Sequence, residues 1–564
     1  MRKSFFRILI TVLLIPFSLH IIFSQESIVL SSAKKEMDRV MEKFNKEQYP
    51  PYFLSYEISE INGISITASF GKIETNVTNK SRILDIDVRV GDYKFDNTHI
   101  IRGASFSFGS DRTVTELPIE DNEEAIRNAI WFATDKQYKK AVETYQKALT
   151  NKAVKVQEED TSADFSYEKP HKYTDSKVVF KIDKKSWEER LRKLSALFAN
   201  EDWLYNGSVS LNVDVQTKYY LNSDGEEIEQ SNSHARVFLS ASTKATDGMN
   251  LPLYKSYFAF DADSLPDENT MKQDLFKMVL TLKALREAPL MTTFTGPAIL
   301  SGEAAGVFFH EIFGHRVEGH RLKDPNNSQT FKGSINTKIL PDFMNVVFDP
   351  TINYLKGHAV SGGFKFDDEG VEGQKVICVD NGIFKNFLMD RSPIEGFSHS
   401  NGHGRKQAGF KATSRQSNLI VSSNIIIPIN ELKNKLREEC KKQGKEFGLF
   451  FEKVQGGFTF TGRSIPNSFN VNPLIVYKIY ADGKADELVR GVDLIGTPLT
   501  TFANIIAAGD DLGVFNGICG AESGNVPVSA CSPSLLVSTI EVQKKAKSQA
   551  KPPILAAPSD NHAE

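Results

Sequence analysis

The sequence predicts an α+β protein, with an N-terminal sheet-and-helix domain followed by a mostly antiparallel β C-terminal domain that carries one strongly apolar helix. Three observations lead there. Before residue 290 apolar residues recur at helical spacing in several segments, and runs of strand-forming residues lie between them. After residue 290 the chain turns glycine-rich and strand-rich, with Asn-Gly and Asp-Gly turns.

Met37, Val40, Met41 and Phe44 mark a first helix. Tyr52 to Ile58, Ile64 to Phe70 and Ile83 to Val90 are rich in β-branched and aromatic residues, so the chain opens as a helix laid on short strands. Ile126, Ala129, Ile130, Ala133, Ala141, Val142, Tyr145, Ala148 and Leu149 form one stripe of a longer helix, with Lys and Glu opposite. Residues 151–166 are polar and acidic and read as loop. Trp187, Leu191, Leu194 and Phe198 mark another helix. Val209, Leu211, Val213 and Val215 alternate as a half-buried strand that turns at Asn222 to Gly225 and returns through Val237 to Ala241.

The helix around Leu275 to Leu285 stops at Ala288-Pro289, and the boundary is placed there: an N-terminal domain over 25–290 and a C-terminal domain over 291–543. Extended runs in the second domain are Val346 to Asp349, Gln374 to Asp380, Asn418 to Val421, Pro473 to Tyr480 and Ser534 to Val542, with turns at Asn381-Gly382 and Asp482-Gly483. Residues 544–564 carry Pro, Ala and charge without period and read as a disordered tail.

The 564 residues are 40% hydrophobic and 25% charged, the composition of a folded chain with room for two or three domains. Lys and Arg number 68 against 71 Asp and Glu, a formal charge of −3, so no net basic field recruits nucleic acid. Residues 1–24 open with Arg2, Lys3 and Arg7, run through the apolar stretch Ile8 to Phe17 and reach Ser24 without an acid. That is the layout of a signal peptide, cleaved near Ser24 and Gln25; retention as an anchor is the alternative. No later stretch approaches the roughly 18 uninterrupted apolar residues of a membrane span. The expectation is a periplasmic or secreted protein with no stable membrane span after cleavage. Four cysteines, Cys378, Cys440, Cys519 and Cys531, are too few for a disulfide scaffold in a chain of this length and are read singly.

Chemistry concentrates in Ser301 to Gly319, SGEAAGVFFHEIFGHRVEG. Ser301 suits an N-cap, Glu303 the first turn, and Val307, Phe308 and Ile312 an apolar face, so His310, Glu311 and His315 sit on a buried helix. Two imidazoles with a carboxylate between them are a standard zinc arrangement, the carboxylate handling the proton of water. The usual histidine spacing is four; here it is five, which on an ideal helix turns the second ring about 140° from the first. Helical hydrogen bonding is therefore expected to break or widen between His310 and His315, through a π-type turn with Gly314 as its weakest point. A third ligand is needed. His320, Glu318 and the four cysteines are all candidates, and a Cys519–Cys531 disulfide is the competing use of that thiol.

Beyond this helix, SGGFKFDDEGVEGQKVICVDNGIFKNFLMDR, GHGRKQAGFKATSRQSNLIV, ADGKADELVRGVDLIGTPLTTFANIIAAGDD and GICGAESGNVPVSACSPSLLV stand in order. In these segments, spanning nearly all of 294–543, the chain resembles the TldD/PmbA family of zinc metalloproteases. The N-terminal half is similar more loosely, through IWFATDKQYKKAVETYQKAL. The resemblance implies that His310, His315 and Cys519 bind Zn2+, that Glu311 is the catalytic carboxylate, and that Cys531 has no assigned role. It further implies action on small or unfolded peptides within a homodimer or a heterodimer with a related chain. Family members without the metal motif exist; this chain keeps every ligand position and is similar to the active type. An extended peptide adding a strand to one sheet edge would present a scissile bond with little sequence reading.

The competing function is a non-catalytic peptide-binding or scaffold subunit of a dimeric protease complex. His399, His403 and Arg405 in SHSNGHGRK read either as a transition-state stabiliser or cleft lining or as a polar loop, and Arg490 reads as a structural ion-pair partner in preference to a binder of a peptide carboxylate.

Overall fold

The computed structural model of the chain describes residues 27–100, 112–154, 160–324, 327, 329–459, 469–496 and 498–545. The expected signal segment, 1–24, and the chain after residue 545 lie outside them.

Ser27 caps α1 (Ile28–Phe44), its Oγ accepting the Val29 amide. The N-terminal half then builds a seven-stranded sheet from β1 (Pro51–Ser69), β2 (Lys72–Val90), β3 (Thr115–Glu116), β4 (Lys172–Thr174), β5 (Asn206–Asn222), β6 (Glu227–Lys244) and β7 (Asn250–Ala259). Its order is β3-β2-β1-β5-β6-β4, with β7 also on β6. Strand alternation decides which face meets what. Leu54, Tyr56 and Ile58 of β1 pack under α1 and α2 (Glu123–Val154), and Ile64, Ile66 and Ala68 pack under α3 (Lys184–Ala196) and α4 (Glu268–Glu287). The opposite face carries Glu57 and Ile61 on β1, Asn212, Asp214, Gln216 and Lys218 on β5, and His234 and Arg236 on β6, and looks at the C-terminal half.

Two expectations shift here. The runs Tyr52 to Ile58 and Ile64 to Phe70 are one 19-residue strand, because the polar link between them faces β2, where Glu60 pairs with Arg82. The polar stretch that begins at 151 starts as helix, since α2 runs to Val154.

In the C-terminal half, Phe294–Leu300, Leu535–Lys544, Val492–Gly496, Phe469–Tyr480 and Phe447–Thr459 pair in a closed ring. A second sheet runs Ile383–Phe384, Val376–Asp380, Met344–Phe348, Asn418–Ser423, Gly524–Ser532 and Gly513–Ala521, the last strand forming its edge. Pairing is antiparallel except between Asn418–Ile420 and Ser529–Cys531 and between Leu449–Phe451 and Ala298–Leu300. The last strand reaches Lys544, one residue into the expected tail. Helix α5 (Gly302–Ile312) lies between the two sheets, sharing one core with Leu300, Phe451, Leu419 and Ala530. Gly306 permits this approach, since a Cβ there would stand 2.7 Å from the Ala530 carbonyl oxygen.

The two halves are tied by charge as well as packing. Lys406 reaches Glu57 at 2.9 Å and also pairs with Asp85, and Lys218 pairs with Asp368. Arg490 donates to the Ala288 carbonyl at 2.9 Å and to Asp247 at 3.1 Å, a structural role at the domain junction. Among the described residues, no helix is long and apolar enough to cross a membrane.

Candidate metal centre

Helix α5 begins as its sequence indicates: Ser301 Oγ accepts the Ala304 amide at 3.2 Å and donates to the Glu452 carbonyl at 2.8 Å. Its other end does not widen into a π turn. The Phe313 amide still donates to Phe309, and then the chain tightens into a 3₁₀ turn over Gly314–Arg316, with the amides of Arg316 and Val317 donating to Phe313 and Gly314. The reason lies in the neighbours. A Cβ on Gly314 would fall 1.9 Å from Gln416 Oε1, so any larger residue has to displace the buried Gln416 amide. Arg316 Nη1 then closes the helix end by donating to the Glu311 and Ile312 carbonyls, each at 3.0 Å. The tighter turn brings the His310 and His315 rings to 5.0 Å between centroids.

Cys519 enters from the edge strand Gly513–Ala521, and the ligating atoms of His310, His315 and Cys519 all lie within 4.8 Å of one another. Cys519 Sγ stands 3.5 Å from His315 Nε2. Zinc bonds of about 2.0–2.3 Å in a tetrahedral shell put N and S about 3.5 Å apart, so the site already has the required span. His310 Nδ1 is buried with no hydrogen-bond partner among the described residues. Burial opposes ionisation, yet Glu318 and Cys519 hold the His315 pKa well above the imidazole range. Burial likewise opposes the Cys519 thiolate, but His315 and His310 hold that thiol well below its ordinary value. A divalent cation in place of the proton shared by this set satisfies all three donors, and their chemistry suits zinc. Glu311 is buried beside them; burial raises its pKa, and His310 and His315 partly offset that.

Glu318 and His320, considered from sequence as third ligands, point elsewhere. Glu318 is fully buried and accepts His315 Nδ1 at 3.1 Å and Arg321 Nε at 2.9 Å. Burial alone would push its pKa up, but His315 and Arg321 overcome this and hold it at about 2. A carboxylate only accepts, so Nδ1 of His315 carries the proton and Nε2 faces Cys519. This orienting role was missed in the sequence; the signal was a Glu three residues after a ligand-type His, one turn away. His320 Nε2 pairs with Glu522 instead. All four cysteines are free. Cys531 pairs in register with Val514, five residues from Cys519 and hence about 17 Å along the strand, which rules out the disulfide. His403 is buried between Asn401 and Ser417, and burial depresses its pKa to about 3, so it is a neutral structural ring. His399 is exposed beside Glu168.

A cavity of about 530 Å³ opens between the polar face of the N-terminal sheet and the C-terminal half. The three donors are not in its lining. It meets them at Ile518 and Val526, the chain neighbour and cross-strand partner of Cys519, and at Arg405.

The fold and the three-donor cluster define an α+β protein with a buried N,N,S centre at the end of one helix. Residues 293–544 match the PmbA/TldA metallopeptidase C-terminal domain. A metalloprotease of Archaeoglobus fulgidus is 30% identical over 238 residues, 42% of this chain and 51% of that protein. A zinc metalloprotease TldD homolog of Saccharolobus solfataricus is 28% identical over 253 residues, 44% of this chain and 51% of that protein. The chain thus spans about half the length of these curated relatives. TldE from Thermococcus kodakarensis has the same fold, with a TM-score of 0.60 at 13% identity over 91% of this chain and 100% of that one. Residues 293–544 are thus a C-terminal domain of the TldD/PmbA kind.

Proposed function

We propose that the chain is a zinc-dependent peptidase acting on small or unfolded peptides. The observation that carries this reading is the convergence of His310, His315 and Cys519 within 4.8 Å, with Glu311 next to the first of them. Those three residues would hold the metal. Among the described residues no fourth such donor joins the group, which favours a catalytic over a closed structural site. Zinc there supplies Lewis acidity, which polarises an amide carbonyl and makes water nucleophilic near neutral pH. Glu311 takes the water proton on a carboxylate oxygen and returns it to the leaving amine nitrogen. Cys519 lies on the edge strand of its sheet, so a peptide adding a strand there would run past the reacting centre.

The same reading includes export, with residues 1–24 as a signal segment and the protein in the periplasm or outside the cell. It includes assembly into a dimer; the structural likeness to a TldE supports a related chain as one form of partner. The test is metal analysis of the purified full chain together with hydrolysis of an unfolded protein. Roughly one zinc per chain is expected, with turnover abolished by a chelator and restored by zinc. Chelator-insensitive hydrolysis would overturn the assignment.

A further inference from the structure

Five cationic side chains line the cavity between the halves: Lys218 and Lys406 are held in ion pairs, Arg112 is exposed, and Arg236 and Arg405 remain. Arg236 on β6 lines it, Nη1 donating to the Asn516 carbonyl at 2.6 Å and the guanidinium lying 5.3 Å from the Phe258 ring centre. Arg405 lines it too, 7% exposed, with Nη1 donating to the carbonyls of Gln416 and Pro527 and the guanidinium 4.8 Å from the Phe364 ring. Among the described residues, neither guanidinium has a carboxylate within ion-pair distance; Asp214 acts on Arg236, and Asp368 and Asp367 on Arg405, from farther off. Two of the acids nearby are engaged: Asp368 takes Lys218 and the Lys406 amide, and Asp367 accepts the amides of Glu369, Val371 and Gly404, while Asp214 is half-exposed 3.7 Å from His234 Nδ1.

Arg236 is half-buried and Arg405 buried, each without a paired carboxylate, and the planar fork of a guanidinium matches a carboxylate. Position adds to this. Asn516 is three residues from Cys519 on the edge strand, about 10 Å, which is the span of three residues of an extended peptide lying beside it. Pro527 pairs with Ile518, so Arg405 stands nearer the centre.

We propose that the cleft selects peptides carrying a carboxylate within about three residues of the bond to be cut, with Arg236 as the anchor and Arg405 beside it. The proposal rests on the peptidase reading and deepens it by naming the substrate class. The carboxylate can come from a free C-terminus or from an Asp or Glu side chain.

Binding is measured on the zinc-loaded, full-length Glu311→Gln protein with a set of short fluorescent peptides. These carry Glu or Gln at each internal position in turn, and each is made as free acid and as C-terminal amide. Converting carboxylate to amide in one of the two arms is expected to weaken Kd about tenfold or more, and the responsive arm identifies the source. In Arg236→Gln that difference disappears. Equal Kd across the set, or a preference for acid that survives both Arg236→Gln and Arg405→Gln, overturns the proposal. Arg405 bridges two carbonyls, so if Arg405→Gln does not fold, Arg236→Gln decides alone. Wild-type protein that cleaves none of the peptides sinks the peptidase reading, whereas equal cleavage of acidic and neutral peptides sinks only the carboxylate proposal.

Discussion

Nδ1 of His315 donates to Oε2 of Glu318 at 3.1 Å, and the same ring turns Nε2 to the Cys519 sulfur at 3.5 Å. A fully buried carboxylate, itself held by Arg321 and lying 3.6 Å from Arg415 Nε, thereby sets both the tautomer and the direction of an imidazole. The metal would meet a ring that does not have to turn.

Glu318→Gln keeps the shape and an acceptor oxygen but removes the charge. Zinc affinity is expected to fall about 10- to 100-fold, read by competition with a chromophoric chelator. Glu318→Ala should also cost about 3 kcal/mol of stability, because the buried Arg415 loses its nearest carboxylate. Unchanged affinity in both variants contradicts the orienting role.

Glu311 makes no ligand bond in this account. Glu311→Gln should therefore retain zinc at the wild-type level and lose about 10²- to 10⁴-fold in turnover, measured on the same preparation. Turnover within a few fold of wild type would remove Glu311 from the proton transfer.

Gly314→Ala places a methyl where Gln416 Oε1 stands, and Gln416 Nε2 donates to the His310 carbonyl at 3.2 Å. Loss of about 1–3 kcal/mol in denaturant unfolding is expected, with weaker zinc binding because the two histidines no longer keep their spacing. A variant as stable as wild type would mean that the turn has slack.

Burial pushes the Glu226 carboxyl up to about 8, against an unfolded value of about 4.3. Between those values the folded state holds a proton that the unfolded chain has released, so this residue lowers stability as pH rises and has no such effect below about 4. Glu226→Gln should gain on wild type across that window, by at most about 1.4 kcal/mol per pH unit. Thermal unfolding at a series of pH values checks this; parallel curves for the two proteins contradict it.

Helical periodicity revealed α1, α3 and α4 because each buries one stripe, as Met37, Leu191 and Leu275 do. Strand lengths were harder to read. The start of β2, from Lys72 to about residue 80, has no apolar alternation because most of its side chains face solvent, with Ile73 and Asn76 meeting α3, and the polar Ser59 to Gly63 shows its place in the strand only when Glu60 is seen against Arg82. In the site, His310, Glu311 and His315 were visible through local spacing. Cys519 lies 204 residues from His315, and only ordered resemblance to a family could single it out from the other thiols. Arg236 left no trace at all: its meaning comes from a cavity formed by two halves of the chain, and no periodicity encodes that.

The most direct measurement is zinc-edge X-ray absorption of the purified full-length protein and of its Cys519→Ser variant. One sulfur neighbour at about 2.3 Å with nitrogen neighbours at about 2.0–2.1 Å is expected, with loss of the sulfur shell in the variant. A shell without sulfur, or one that the variant leaves unchanged, would contradict this coordination.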